Sequence, residues 1–336
     1  MASAAAHLGS SGNRLRRIVF GTDFSPVAMR AASYARALAA SHSARVDLVH
    51  VFDSDVYLDD QEPRLRSLED RLAMRSARLQ ALAATFTQAG ISVKTELPMV
   101  KPGWSALLES AEKKSADLIL MATRSKPQLK RMFLGSTVEE LIRYAKSPIL
   151  IVGPNVPEAV DGPLAFQCIL YATDFAAKGE KAARSVLMLA LHDKAKVFVC
   201  HVIQNQPEGR VEAPSEAALR PDLERWIQQS PLGDYGCEPV LDHGESAPAI
   251  LALAEKIKAD LIVLGPRKHS FLLTHVKRGV TLEVPAVRAL PGTNRARVTE
   301  GIRAALEFPV ERSGKDARCL LGPKAMERIS VGARAA

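Results

Sequence analysis

The chain has few cysteines, few aromatic residues and no long apolar run. Aromatic residues make up 5% of its 336 residues, so its core must rest on aliphatic side chains and alanine. Its four cysteines share no CxxC spacing and no nearby histidine cluster: Cys168, Cys200, Cys237 and Cys319. This pattern favours neither a zinc site nor a disulfide framework, and no metal ligand is predicted. Since no apolar run reaches about 18 residues, we expect no membrane span.

A leader segment and a concentrated charge are also missing. Residues 1–13 are small and polar, which argues against a signal peptide and favours a cytoplasmic protein. The chain has 45 Lys and Arg against 37 Asp and Glu, a formal charge of +8, without one long basic run. Much of this excess lies towards the ends of the chain, where solvated tails explain it. We therefore expect no nucleic acid partner.

Several enzyme motifs do not occur in the sequence. There is no GxxxxGKS or GxxxxGKT phosphate loop, no GxSxG nucleophile elbow and no HExxH zinc helix. Apart from Asp23, no residue is indicated as a general base. We predict that the protein is not an enzyme.

What the sequence does contain is a long internal repeat. The segment Arg17–Ser25 returns as Cys168–Ala176, 151 residues later. Farther on, Ala116–Leu120 returns as Ala259–Val263, 143 residues later, so the second copy is shorter in between. A period of this length is the size of a whole domain, which predicts two copies of one fold.

In both copies, short apolar runs alternate with helical patterns. This alternation predicts βαβ units and a parallel sheet, hence an α/β fold. The first helix is expected to begin with Ser25 as its N-cap and Pro26 at its first position. Strands are expected at 18–22, 46–52, 91–97, 118–122, 148–152, 168–173, 196–203, 237–241 and 260–264. The second copy has only a weak echo of a fifth strand, so its final strand is predicted to be atypical.

These patterns divide the chain into five segments. Residues 14–153 and 165–290 are the two predicted domains, and residues 154–164 form a linker rich in Gly and Pro. Residues 1–13 are expected to be disordered. Residues 291–336 are expected to be an irregular extension, with one short helix at 299–306.

The chain resembles the universal stress protein family in three features: the repeated Asp-Phe motifs, the His-Val pairs of the second strands and one Gly-Ser helix start. The resemblance is to the tandem type, with two such domains in one chain. It implies two Rossmann-like domains of the adenine nucleotide alpha hydrolase-like kind, each with an open five-stranded parallel sheet between helices. Members of that family bind ATP or have lost that ability, and they pair through the final strand. The pairing partner here is either the other domain of the chain or a second copy.

The resemblance places the adenine and ribose near the ends of strands one and two. Asp23 and Val51 are the matching residues in domain 1, and Asp174 and Val202 in domain 2. A carboxylate can accept from the adenine amino group, and a backbone amide beside an apolar side chain can contact the base edge. The alternative for each aspartate is that it caps the following helix. The histidines of the second strands are interpreted as satisfied core residues.

The phosphates would require glycines and a helix start. ATP-binding members have two spaced glycines followed by Gly-Ser or Gly-Thr, so that backbone amides and the helix dipole face the phosphates. In domain 1 the final pair is Gly135-Ser136, before Thr137, but Ala122 and Ser125 occupy the two earlier glycine positions. Positive charge in this loop begins at Arg124.

Domain 2 departs from the phosphate pattern in another way. Gly265 occupies the first glycine position, but Lys268 occupies the second. The final pair is displaced by one residue, to Gly279-Val280, and Val280 has no hydroxyl. Domain 1 is therefore the better nucleotide site.

The function predicted from these residues is that of a stress-response module with a regulatory or protective role. It would bind ATP, with or without Mg²⁺, mainly in domain 1. One alternative is an interaction scaffold that binds no nucleotide. A second alternative is a weak ATP or adenylate hydrolase.

Overall fold

The computed structural model describes residues 14–52, 67–100, 102–123, 136–153, 156, 162, 164–175, 179–204, 215–265 and 304–307. The first half contains β1 (Arg17–Gly21), α1 (Pro26–His42), β2 (Arg45–Val49), α2 (Leu68–Gln88), β3 (Val93–Glu96), α3 (Gly103–Lys113), β4 (Leu118–Ala122), α4 (Ser136–Tyr144) and β5 (Ile149–Val152). The second half contains β6 (Cys168–Ala172), α5 (Gly179–Asp193), β7 (Lys196–Ile203), α6 (Glu216–Gln229), β8 (Glu238–His243), α7 (Ser246–Lys256), β9 (Leu261–Leu264) and β10 (Ala304–Glu307).

The strands form one sheet in the order β3-β2-β1-β4-β5-β10-β9-β6-β7-β8. The strands of each half are parallel, and β5 and β10 join the halves as an antiparallel pair. The repeat is visible in the register, because Ile18 lies beside Leu118 and its counterpart Ile169 lies beside Leu261. The predicted α/β fold with two Rossmann-like halves is confirmed.

The first helix begins as its sequence predicts. The Ser25 side chain accepts a hydrogen bond from the amide of Ala28 at 3.3 Å, and Pro26 occupies the first turn. Ser43 ends α1 in the left-handed conformation, with φ of 53°. Its repeat counterpart Lys194 follows α5 with φ of 55°, so both helices end in the same way.

The final strand of the second half comes from an unexpected part of the chain. Ala304–Glu307 forms β10 between β5 and β9. The predicted helix at 299–306 is therefore wrong for residues 304–306, and an irregular extension is wrong for residues 304–307. The weak echo at 282–290 lies outside the described residues, as does the expected disorder of 1–13. Residues 304–307 form a strand because their backbone pairs with the edges of β5 and β9. The local sequence pattern does not predict such pairing.

The two halves share one apolar core. The amide of Leu164 donates to the carbonyl of Ala37 in α1 at 3.3 Å, across the domain boundary. Leu15 and Leu38 of the first half belong to the same buried cluster as Phe166 of the second half. This packing is the intrachain form of the expected domain pairing. Among the described helices, none is both long enough and apolar enough to cross a membrane.

Candidate functional site

The candidate site lies where the strand order of the first half reverses direction. From β1, the chain proceeds outward to β2 and β3 on one side, whereas β4 and β5 lie on the other. In such sheets, ligands bind beyond the carboxyl ends of the strands at this switch point. The amide of Thr22 donates to Val49 at 3.0 Å and that of Thr123 to Val152 at 3.1 Å. Both loops at the switch point are thus anchored to the sheet at their first residue.

A compact turn follows β1 and presents Asp23 to solvent. Thr22 Oγ1 accepts from the amide of Phe24 at 3.1 Å, and Asp23 Oδ1 accepts from the amide of Ser25 at 2.8 Å. Phe24 adopts a φ of 58°, which is uncommon for a residue other than glycine. Ser25 is the N-cap of α1, and the bond from its own amide to Asp23 Oδ1 holds this cap residue in position. An exposed carboxylate held in a defined turn can accept from a ligand while it keeps this structural role.

His50 contacts the turn from the interior of the protein. The side chain is buried, and its Nδ1–H donates to the carbonyl of Thr22 at 2.8 Å. Its ring lies 4.4 Å from the ring of Phe24, centroid to centroid. Burial lowers the pKa of His50, against the opposing effect of the bond to Thr22, so the imidazole is neutral at neutral pH. The interpretation of His50 as a satisfied core histidine is confirmed.

The second half builds the same turn after β6. His201 Nδ1–H donates to the carbonyl of Thr173 at 2.9 Å, and Thr173 Oγ1 accepts from the amide of Phe175 at 3.2 Å. Phe175 adopts a φ of 61°, its ring lies 4.2 Å from that of His201, and Asp174 is exposed. Sequence reasoning found the repeated motif but missed that Thr, Phe and His together hold the aspartate in place. The signal was the constant offset of 151 residues between the two copies.

Two arginines of α2 supply positive charge beside the turn. Asp23 and both Arg75 and Arg78 lie close enough to His50 to shift its pKa, in opposite directions. The Arg78 guanidinium also lies 4.9 Å from the centre of the Phe24 ring. These arginines were missed in the sequence, although their spacing of three residues places them on one helix face. Two cationic side chains and the Asp23 carboxylate thus lie near one another at the turn.

Val51 and Val202 differ in where they lie. β2 ends at Val49, so the expected strand at 46–52 extends three residues too far and Val51 follows the strand, whereas Val202 lies within β7. Val51 packs against the start of α3: a side chain at Gly103 would approach its Cγ1 to 3.5 Å. Both valines are half-buried at apolar helix contacts. Val51 thus connects the segment after β2 to α3, whereas Val202 belongs to the strand itself.

The described part of the phosphate loop consists of its two ends. Ala122 is the last residue of β4, and Ser136 and Thr137 open α4, with Ser136 exposed. The remaining predicted residues of the loops lie outside the described residues: Arg124, Ser125, Gly135 and Lys268. The first amides of an α-helix have no acceptor within the helix, and helix starts of this kind bind anions in many proteins.

Gly265 has a structural explanation of its own. Its amide donates to the carbonyl of Ala172 at 3.1 Å and so continues the β9 pairing by one residue. A Cβ at this position would lie 3.2 Å from the hydroxyl of Tyr171, which is a tight contact. That hydroxyl donates to the carbonyl of Gly179 at 3.0 Å. Glycine at 265 is therefore accounted for by packing against Tyr171, independently of a ligand.

The match to known proteins covers both halves of the chain. The model of the universal stress protein family matches residues 14–153 and 165–283. The chain belongs to the universal stress protein family. A relative in Methanocaldococcus jannaschii is 32% identical over 142 residues, which are 42% of this chain and 83% of that protein. A universal stress protein of Mycolicibacterium smegmatis is 26% identical over 263 residues, which are 74% of this chain and 86% of that protein.

A solved structure shows the same two-domain fold. The crystal structure of a universal stress protein from Archaeoglobus fulgidus matches with a TM-score of 0.62, and it covers 87% of this chain and 98% of its own. The identity is 16%, so the likeness concerns the fold. This universal stress protein thus has the tandem architecture that its repeat predicts.

Proposed function

We propose that this universal stress protein binds ATP in domain 1, with or without Mg²⁺, and acts as a regulatory or protective module in the stress response. The observation that carries the proposal is the exposed Asp23, held in a built turn at the switch point of the sheet. A carboxylate in an exposed position can accept from the amino group of adenine. The loop after β2, which Val51 anchors to α3, would contact the base edge.

The phosphate end of the nucleotide is assigned to the start of α4. Ser136 offers a hydroxyl together with the helix amides, and Thr137 follows in the first turn. Arg75 and Arg78 add positive charge near Asp23. The proposal extends to Arg124, Ser125 and Gly135 from the sequence pattern alone. Asp174, Val202, Gly265 and Lys268 form the weaker, second candidate site.

The decisive experiment is calorimetric titration of ATP into the full chain, with and without Mg²⁺. We expect one ATP to bind, and Asp23→Ala to weaken the affinity at least about tenfold, a loss of about 1.4 kcal/mol. Asp23→Asn keeps an oxygen that can accept from Ser25, so it should preserve the melting temperature and still weaken binding. That pair of variants separates a ligand contact from a turn contact.

Asp174→Ala is the matched control, because it alters the same turn in domain 2. It should change ATP affinity by less than about twofold, or about 0.4 kcal/mol. No heat and no thermal shift at millimolar ATP with the wild type would favour the scaffold that binds no nucleotide. Release of phosphate above a buffer blank, lost in Asp23→Ala, would favour the hydrolase.

A further inference from the structure

Three side chains with metal-ligating atoms meet at the contact between the two domains. His42 is the last residue of α1, and His192 and Asp193 are the last two residues of α5. One candidate ligand atom from each lies within 4.8 Å of the other two. The two imidazole rings are 3.8 Å apart, centroid to centroid. Helix ends from opposite halves of the chain thus place two nitrogens and one carboxylate together.

His42 is the unusual member of this cluster. It is 1% exposed, and neither Nδ1 nor Nε2 has a hydrogen-bond partner. Buried polar side-chain atoms nearly always have a partner, so two such atoms on one ring require an explanation. Burial, followed by the nearby His192 and Arg14, lowers the pKa of His42 to about 4. The ring is therefore neutral near pH 7, which is the form that binds a metal ion.

The other two side chains are oriented by hydrogen bonds. Asp193 Oδ2 accepts from the amide of Phe166 at 2.8 Å, and Oδ1 accepts from His192 Nδ1 at 2.8 Å. The Asp193 side chain is 1% exposed, whereas that of His192 is 33% exposed and gives the cluster access to solvent. Arg14 Nε donates to the carbonyl of His42 at 3.2 Å, so one cation is already nearby. The carboxylate of Asp193 opposes that charge.

We propose that His42, His192 and Asp193 form a binding site for a divalent first-row transition metal ion, with Zn²⁺ as the best fit. Binding replaces the bond between His192 Nδ1 and Asp193 Oδ1, and the imidazole proton moves to His192 Nε2, so that Nδ1 and Oδ1 become ligands. Two imidazoles and one carboxylate are the donor set that such ions prefer, whereas Mg²⁺ and Ca²⁺ prefer oxygen alone. Water would complete a tetrahedral coordination. A bound ion satisfies one of the two unpartnered nitrogens of His42. Because the ligands come from α1 and α5, the ion also connects the two domains.

The test uses the full chain after treatment with EDTA and dialysis. Zn²⁺ is titrated calorimetrically, and Co²⁺ is added separately to record the visible absorption of a tetrahedral site. We expect one ion per chain. His192→Ala should weaken Zn²⁺ binding at least about tenfold, because mutation of a residue that only hydrogen-bonds to a metal ligand already lowers metal affinity by about that much. His192→Ala should also abolish the rise in melting temperature that Zn²⁺ gives to the wild type.

His243→Ala is the matched control, because it tests whether any surface histidine accounts for the Zn²⁺ that is bound. His243 is an exposed histidine of domain 2, like His192, and its Nε2 lies 2.9 Å from Glu216. It should leave Zn²⁺ affinity and stoichiometry unchanged. The proposal is overturned if the wild type binds no ion at micromolar free Zn²⁺, if His192→Ala binds as the wild type does, or if His243→Ala loses the same affinity. Since His192 is partly exposed, its variant should fold, and circular dichroism checks this.

Discussion

Asp260→Ala is expected to lower the free energy of unfolding by about 4 kcal/mol. Asp260 is 3% exposed, and its Oδ2 accepts from the amides of Gln167 at 2.5 Å and Cys168 at 2.9 Å. These bonds attach the start of β9 to the start of β6. Alanine would remove the buried carboxylate that accepts from both part-buried amides, and the loss of two bonds to one charged group is costly. Urea denaturation followed by circular dichroism measures the loss.

Alanine variants of two other aspartates give unfolding free energies with which the Asp260→Ala result can be compared. Asp117 makes the same clamp in the first half, with the amides of Arg16 and Arg17 at 2.8 and 2.9 Å, but it is partly exposed. Because water can replace the carboxylate there, Asp117→Ala should cost about 2 kcal/mol. Asp222→Ala removes an exposed pair with Arg225 and should cost less than about 1 kcal/mol. If Asp260→Ala is no more destabilising than Asp222→Ala, the clamp does not hold the second half together.

The sequence predicts the fold well because its two main signals are local and repeated. Each central strand is a short apolar run that ends at a polar residue, as at Asp23 and Asp174. The two offsets of the repeat match the sheet register, in which Ile18 and Ile169 each pair with the corresponding fourth strand. β10 has neither signal: its four residues acquire their structure from the open edges of β5 and β9. Helical periodicity at 299–306 was therefore misleading.

The candidate site was predictable only in part, for a related reason. Asp23 was found because it directly follows a strand. The contacts that support it depend on pairs distant in sequence, such as His50 with Thr22, and on the positive φ of Phe24. The charge beside it could have been found, since Arg75 and Arg78 share a helix face.

The cluster at the domain contact could not have been found from spacing. His42 and His192 are 150 residues apart, and no metal motif includes such a separation. Only the packing of α1 near α5 brings them together. His42 and Asp193 are nevertheless repeat counterparts, both at the last position of their helices. The duplication therefore explains why α1 and α5 end at equivalent positions. It does not explain why one position is a histidine and the other an aspartate.

A chain that ends at residue 290 is expected to self-associate, because it lacks β10. In the full chain, β10 pairs with Ile149–Val152 on one side and with Leu261–Leu264 on the other. Its removal leaves two buried, apolar strands with unpaired backbone groups at the centre of the sheet. Such edges bind other strands, and the antiparallel pairing of β5 provides a template for a second copy. The effect should be large, since it removes the strand that pairs with both β5 and β9.

The measurement is the molar mass of the truncated chain by size-exclusion chromatography with light scattering, over a range of concentrations. The 1–290 chain should elute as a dimer or larger species, and its share should rise with concentration. A chain of residues 1–310 is the matched control, because it retains β10 and should have the oligomeric state of the full chain at each concentration. A monomeric 1–290 chain with the full chain's resistance to urea would show that β10 is not needed to cover β5 and β9. Association of the 1–290 chain alone would instead establish that β10 occupies the strand edges through which a second molecule otherwise binds.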